Sequence, residues 1–173
     1  MRTQEPLNVK CIVGVIYQAE YDISHCLKHL ERVFGPRDLL SERFIFDFTD
    51  YYEPEMGSPL YRIFISFENL ICPGRLAEIK RLTNIIEDLF ARDGRRCVNL
   101  DPGYLDLDKF VLASAKYAGQ KIFLGKGIYA DPTLYFHQKA FHAYSWSFPD
   151  FRTEVYRKFF LEARGLYKRK LKQ

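Results

Sequence analysis

Three short polar and aromatic segments hold the side chains of this chain most able to do chemistry. The first is Phe46-Asp47-Phe48-Thr49-Asp50-Tyr51-Tyr52-Glu53-Pro54-Glu55-Met56-Gly57, which carries four carboxylates. Hard divalent cations such as Mg²⁺ take one or two carboxylate oxygens, with waters and substrate phosphates completing the shell. Asp47, Asp50 and Asp101 are the candidate ligands, and Asp50 and Asp101 the candidate general acid and base if their surroundings differ. The plain alternative is an acidic surface loop turned by Pro54 and Gly57.

The second segment is Asn99-Leu100-Asp101-Pro102-Gly103-Tyr104. Asp-Pro-Gly in this order predicts a type II turn, which accounts for all three residues without any function. Asn99 is left over, a polar side chain on the strand face shared with Cys97. The third segment is Leu124-Gly125-Lys126-Gly127-Ile128-Tyr129-Ala130-Asp131. A lysine between two glycines at a strand end can cradle a phosphate with backbone amides and one ammonium; a hairpin turn explains the same residues. The spacing is not that of a Walker A loop, and no Asn-Lys-x-Asp guanine-reading pattern is present.

Other combinations offer less. His25 and His29 lie four apart but outside the apolar stripe of their helix, with no third ligand close in sequence. Ser114 and Lys116 fit no helical neighbour spacing. Neither a Ser-His-Asp nor a Cys-His arrangement can be recognised. The four cysteines, Cys11, Cys26, Cys72 and Cys97, form no CxxC pair, so neither a zinc knuckle nor a dithiol redox motif is expected.

Each polar segment follows an apolar, strand-like run. Lys10 to Tyr17 reads as a strand buried on both faces. Ile23 to Phe34 has helical spacing and ends at Gly35-Pro36. Glu42 to Thr49 and Leu60 to Glu68 alternate like strands. A helix follows from Pro73 to Phe90, then a short strand from Arg96 to Leu100. This βαββαβ order predicts a ferredoxin-like start. Leu107 to Lys116 fits a helix or a strand. Lys121 to Leu124, Ile128 to Phe136 and Ala140 to Trp146 read as strands, the last two joined by a turn at Gln138-Lys139. Pro149-Asp150 is expected to open a final helix that faces inward through Val155, Phe159, Ala163 and Leu166. The expectation is an α+β fold over residues 1–173 as one domain: a mainly antiparallel sheet, helices on one face, an extra C-terminal hairpin and a C-terminal helix.

Composition narrows the class. The chain has 173 residues, 47% hydrophobic and 16% aromatic, with a net charge of +4. Eight Lys/Arg against two Glu lie between Phe151 and Gln173, which gives that segment +6 and leaves −2 for the rest. The basic C-terminal helix suits RNA or another anionic partner, or merely a solvated helix end. With no apolar run near the roughly 18 residues of a membrane span and no apolar leader, a cytoplasmic protein with reduced thiols is expected. Oligomeric state is not legible.

Taken together, KCIVGVIY, FDFTDYYEPEMG, NLDPGY followed by KFVLASAK, and FLGKGIYADPTLYF resemble the family called domain of unknown function 4416, from about Val9 to Leu171. Members of that family are sometimes labelled GTP-binding proteins. The resemblance implies that the segments above are the family's signature blocks; it brings no activity with it. The leading expectation is binding or processing of a phosphorylated small molecule or nucleotide with a divalent cation, whether or not the chain is an enzyme. Lys126, Gly125 and Gly127 would hold phosphate, with Asn99, Tyr52, Tyr104 and Tyr129 lining the cleft. The alternative is a non-catalytic RNA-binding or partner-binding module that stacks bases on Phe64 and Tyr61.

Overall fold

Strand β1 (Val9–Gln18) forms as the apolar run predicts, and only its last residue is not buried. The computed structural model describes residues 2–173. From β1 the chain enters helix α1 (Ser24–Phe34). Asp22 accepts from the Ser24 amide at 2.9 Å, and Gly35 closes the helix with its N–H on the Glu31 carbonyl. Two short edge strands follow, β2 (Arg37–Leu40) and β3 (Phe44–Ile45). Next come a 3-10 turn at Asp50–Tyr52 and a single helical turn α2 (Glu53–Met56). Strand β4 (Leu60–Ile71), helix α3 (Leu76–Leu89) and strand β5 (Val98–Leu105) complete the first half. The second half holds β6 (Lys109–Ser114), β7 (Ile122–Gly125), β8 (Ile128–His137), β9 (Ala140–Ala143) and helix α4 (Arg157–Lys170).

These strands form one nine-stranded sheet in the order β2-β4-β1-β5-β6-β8-β7, with β3 beside β4 and β9 beside β8. Every pairing is antiparallel. The fold class is therefore α+β with a mainly antiparallel sheet and a C-terminal helix, as expected. The Gln138-Lys139 turn is also where the sequence puts it. Both residues have positive φ, 47° and 66°, as a tight two-residue hairpin requires.

Several expectations need correction. The strand expected over Glu42 to Thr49 is reduced to the two residues of β3. The alternating aromatics there have another purpose, since Phe46 packs with Ile16, Met56 and Leu60 in a loop-borne cluster. Asp101-Pro102-Gly103 makes no turn; it lies inside β5. Pairing with β1 keeps it extended, with Asp101 opposite Gly14 and Gly103 opposite Ile12. The helices occupy both faces rather than one. α1 and α3 cover the face formed by Val13, Val15, Ile65 and Leu100. α4 covers the other, where Phe64, Phe110, Phe159 and Phe160 meet. Pro149–Arg152 is a separate 3-10 turn ahead of α4, and Val155 is exposed. Among the described residues no helix is long and apolar enough to cross a membrane.

The face under α4 positions the site. Along it Ile12, Phe64, Leu105, Phe110 and Leu112 are buried against the helix, each contributing on the order of 1.5–3 kcal/mol. At the other end of the same face the side chains turn polar. Arg62 and Asn99 both sit opposite Ile16, and Asp101 opposite Gly14.

Candidate functional site

Strands β5 and β6 part company at this polar end. Their pairing covers only Gly103 to Leu105 against Phe110 to Leu112. Toward Asn99 the edge of β5 has no strand beside it, yet its backbone is buried and must be paired. Helix α3 supplies the partners as side chains. Lys80 Nζ donates to the Leu100 carbonyl at 2.7 Å, and Glu87 accepts from the Leu100 amide at 2.8 Å. Lys80 and Glu87 lie 3.7 Å apart, both nearly sealed from solvent. The gap between β5 and β6 opens a cavity of about 760 Å³.

Its floor is Arg62, Asn99, Asp101, Ser114 and Asp131 from four strands. Lys80, Asn84 and Glu87 of α3 form one wall. Phe46, Phe48, Tyr51 and Tyr52 form a second, and Phe148 to Phe151 a third. Cations and carboxylates alternate around it. Arg62 is ion-paired with Asp150 and lies 3.1 Å from Asp101, and its guanidinium stacks over the Phe46 ring at 4.6 Å. Arg96 is gripped by Glu55 at 2.6 Å and reaches Glu87 at 3.4 Å. Lys121 Nζ is 3.2 Å from Asp131 and donates to Ser114 Oγ at 2.8 Å. Lys116 lines the cavity with no ion pair among the described residues; its ammonium sits 3.5 Å over the Tyr51 ring.

Burial perturbs the acids here. It raises the carboxyls of Glu87, Asp131 and Asp150 above their usual range, against the opposing pull of Lys80, Lys121 and Arg62 respectively. A hydrogen bond with Lys116 lowers the Tyr51 phenol. Titratable groups displaced by burial and a specific partner gather where chemistry or binding occurs.

Among the described residues three buried side-chain atoms have no hydrogen-bond partner: Arg62 Nε, Asn99 Nδ2 and Asp131 Oδ1. All three belong to residues that line this cavity. Each such atom costs about 1–3 kcal/mol, so their concentration in one place calls for an explanation. The orientation of Asn99 is fixed, because its Oδ1 accepts from Arg96 at 3.0 Å and leaves the amide nitrogen free.

The sequence-derived candidates divide. Tyr52, Asn99 and Asp101 line the cavity. Asp47 and Asp50 are exposed and lie outside it. Gly125, Lys126 and Gly127 form the β7–β8 turn, where Lys126 and Gly127 have φ of 56° and 74°. Lys126 there reaches Glu78 at 3.7 Å on the surface. Tyr129 packs against Tyr117 and Phe123, and Tyr104 against the cluster of Leu76, Val111 and Ile128. So the first and second segments line one hollow, and the third reaches it only through Asp131, its Gly-Lys-Gly turn and Tyr129 lying outside. Among the described residues no group of three His, Cys, Asp or Glu side chains is placed to hold a metal ion. Sequence reasoning missed Arg62, Lys80, Glu87, Arg96, Lys121, Asp131 and Asp150. The signal available was modest: Arg62 and Lys80 are charges set inside otherwise apolar periodic runs.

The molecule is an α+β protein with a charged, aromatic-walled cavity at the end of an antiparallel sheet. The family model for domain of unknown function DUF4416 matches residues 7–167, and the chain belongs to that family. No match was found among curated proteins or solved structures.

Proposed function

We propose that the cavity between β5 and β6 binds a small phosphorylated molecule, a nucleotide above all. The observation that carries this reading is the gathering of every unpartnered buried side-chain atom among the described residues around one hollow. Its rings and unpaired lysine supply the chemistry. Tyr51, Tyr52, Phe48 and Phe148 offer faces on which a base stacks, and base–aromatic stacking contributes about 1–3 kcal/mol per base. Lys116, free of any carboxylate, is the phosphate hook. Asp101 is the carboxylate best placed to share a divalent cation such as Mg²⁺ brought in by the ligand's phosphates. Lys126 and its glycines have no part in this version of the site. The strand order β2-β4-β1-β5, with α1 and α3 as the connecting helices, supports reading the first half as ferredoxin-like.

A thermal-shift panel of nucleoside mono-, di- and triphosphates, with and without Mg²⁺, tests the proposal. A ligand at a hundred times its Kd stabilises by about 2.7 kcal/mol. The expected result is a concentration-dependent rise for at least one phosphorylated compound, weakened about 10- to 100-fold in affinity by Lys116→Ala. No shift with any compound, or one that Lys116→Ala leaves unchanged, overturns it.

RNA binding is the second reading. The end of α4 favours it, with Lys168, Arg169, Lys170 and Lys172 exposed. Phe64 cannot serve as its stacking platform, because it is 1% exposed and enclosed by Phe151, Tyr156, Phe159 and Phe160. RNA affinity that falls steeply with added salt supports it, and its absence removes it.

A further inference from the structure

Strand β7 ends the sheet, and its solvent-facing residues are apolar. It pairs with β8 alone, so among the described residues its outer edge has no neighbouring strand. Ile122, Phe123 and Leu124 are 61%, 62% and 41% exposed. Successive strand residues point to opposite faces, so both faces of β7 are open as well as its edge. Phe123 lies opposite Tyr129 with the rings 5.3 Å apart, and Tyr117, also exposed, packs 5.8 Å from Tyr129. Strand and rings form one apolar patch at the end of the sheet. The one irregularity in the pairing with β8 falls between Phe123 and Gly125, at the turn, and leaves Ile122 and Phe123 in regular register.

Free edges are commonly blunted by charge, because a row of unpaired N–H and C=O groups is a template for another strand. The opposite end of this sheet follows that rule. There β2 carries Arg37 and Asp38, with Glu42 and Arg43 just beyond. On β7 the flanking cations are turned away from the edge. Lys121 reaches inward to Asp131, and Lys126 is drawn to Glu78 at 3.7 Å.

The edge also complements itself. An antiparallel pair formed about a two-fold axis at Phe123 sets Ile122 against the partner's Leu124 and Phe123 against the partner's Phe123. Apolar side chains meet at each of these positions, where cross-strand pairs contribute about 0.2–1 kcal/mol. Lys126 then faces the partner's Gln120, so no like charges are brought together. Such self-complementarity is what an isologous two-fold contact requires. We propose that the protein forms a homodimer joined edge to edge through β7, the two sheets running on as one. Strands this short, with Tyr117 beside them, make an interface below about 1,200 Å² in total, and hence an association in the micromolar range.

Sedimentation velocity on the full chain, from low micromolar to near-millimolar, tests this. A dimer that grows with concentration is expected. Phe123→Lys sets like charges directly across the axis. It is expected to weaken the dimer at least about tenfold while melting like the parent, because Phe123 is exposed. Leu89→Lys, at an exposed apolar position on α3, is expected to leave the dimer unchanged. Directly opposed residues of an antiparallel pair stand about 4.5–5.5 Å apart at Cα, within reach of a disulfide. Oxidation of Phe123→Cys in a Cys72→Ser background is therefore expected to link two chains through position 123. A monomeric parent, which would leave the edge to a strand of another protein, overturns the proposal. So does a dimer that Phe123→Lys leaves intact, one that Leu89→Lys breaks equally, or the lack of a link at position 123. Sedimentation needs no nucleotide, so this result and the nucleotide panel fail or succeed separately.

Discussion

Asn99 is a small polar residue buried under heavier neighbours, and only half of its amide is used. Its Oδ1 is held by Arg96, and its Nδ2 has no acceptor among the described residues. Arg96 retains Glu55 and Glu87 without it. Replacing Asn99 by leucine, similar in volume, therefore removes one hydrogen bond and one unpaired donor together. These nearly offset, so Asn99→Leu is expected to alter unfolding free energy by no more than about 1 kcal/mol in urea titrations. Lys121 presents the opposite case. Burial raises the Asp131 carboxyl, and a carboxyl raised in the folded state contributes stability that is full below its unfolded pKa and lost as pH rises through the folded one. Lys121 restrains that loss. In Lys121→Met the carboxyl stands alone and rises further. The stability gap to the parent is thus expected to widen as pH rises above the usual carboxylate range. A gap independent of pH would show that Asp131 is not ionised against Lys121.

At the level of elements, the decisive feature is the point where β5 and β6 separate. Gly103 marks it. A Cβ there would lie 2.6 Å from the Val111 carbonyl oxygen and 2.7 Å from the Phe110 ring. Gly103→Ala must push the two strands apart exactly where the cavity begins to open or displace Phe110 from the α4 core. A loss of about 2 kcal/mol or more in urea unfolding is expected. The sequence makes this region hard to read for a definite reason. Asp-Pro-Gly carries turn chemistry, but the ladder with β1 outweighs it. Likewise Phe44, Phe46 and Phe48 alternate as a strand would, but pairing with β4 stops at the Phe46 amide on the Leu60 carbonyl, and the Phe46 ring is fixed by Arg62, Met56 and Leu60. Where local chemistry and tertiary context agree, as in the apolar run of β1 or the Gln138-Lys139 hairpin, the elements are legible from residues alone.

Over the whole molecule, two faces of one sheet are covered by different helices, and α4 leaves the Arg62–Asn99–Asp101 end of its face uncovered. That vacancy makes the site. It draws on positions 88 residues apart, as in the Arg62–Asp150 pair, and 41 apart, as in Glu55 with Arg96. Such pairings leave no periodic trace in the chain, which is why Asn99, Asp101 and Tyr52 could be singled out beforehand and their charged partners could not. Buried Cys11 and Cys26, whose thiols burial pushes up to about 12, belong to the framework that holds this arrangement.

Isothermal titration of nucleotides into the parent and into Asn99→Leu tests the central claim most directly, since that variant is expected to keep its fold while losing a donor from the cavity. Saturable binding of one phosphorylated ligand per parent chain, weakened at least about tenfold in Asn99→Leu, is the predicted result. Equal affinity in both proteins, or no heat from any phosphorylated compound, would contradict it.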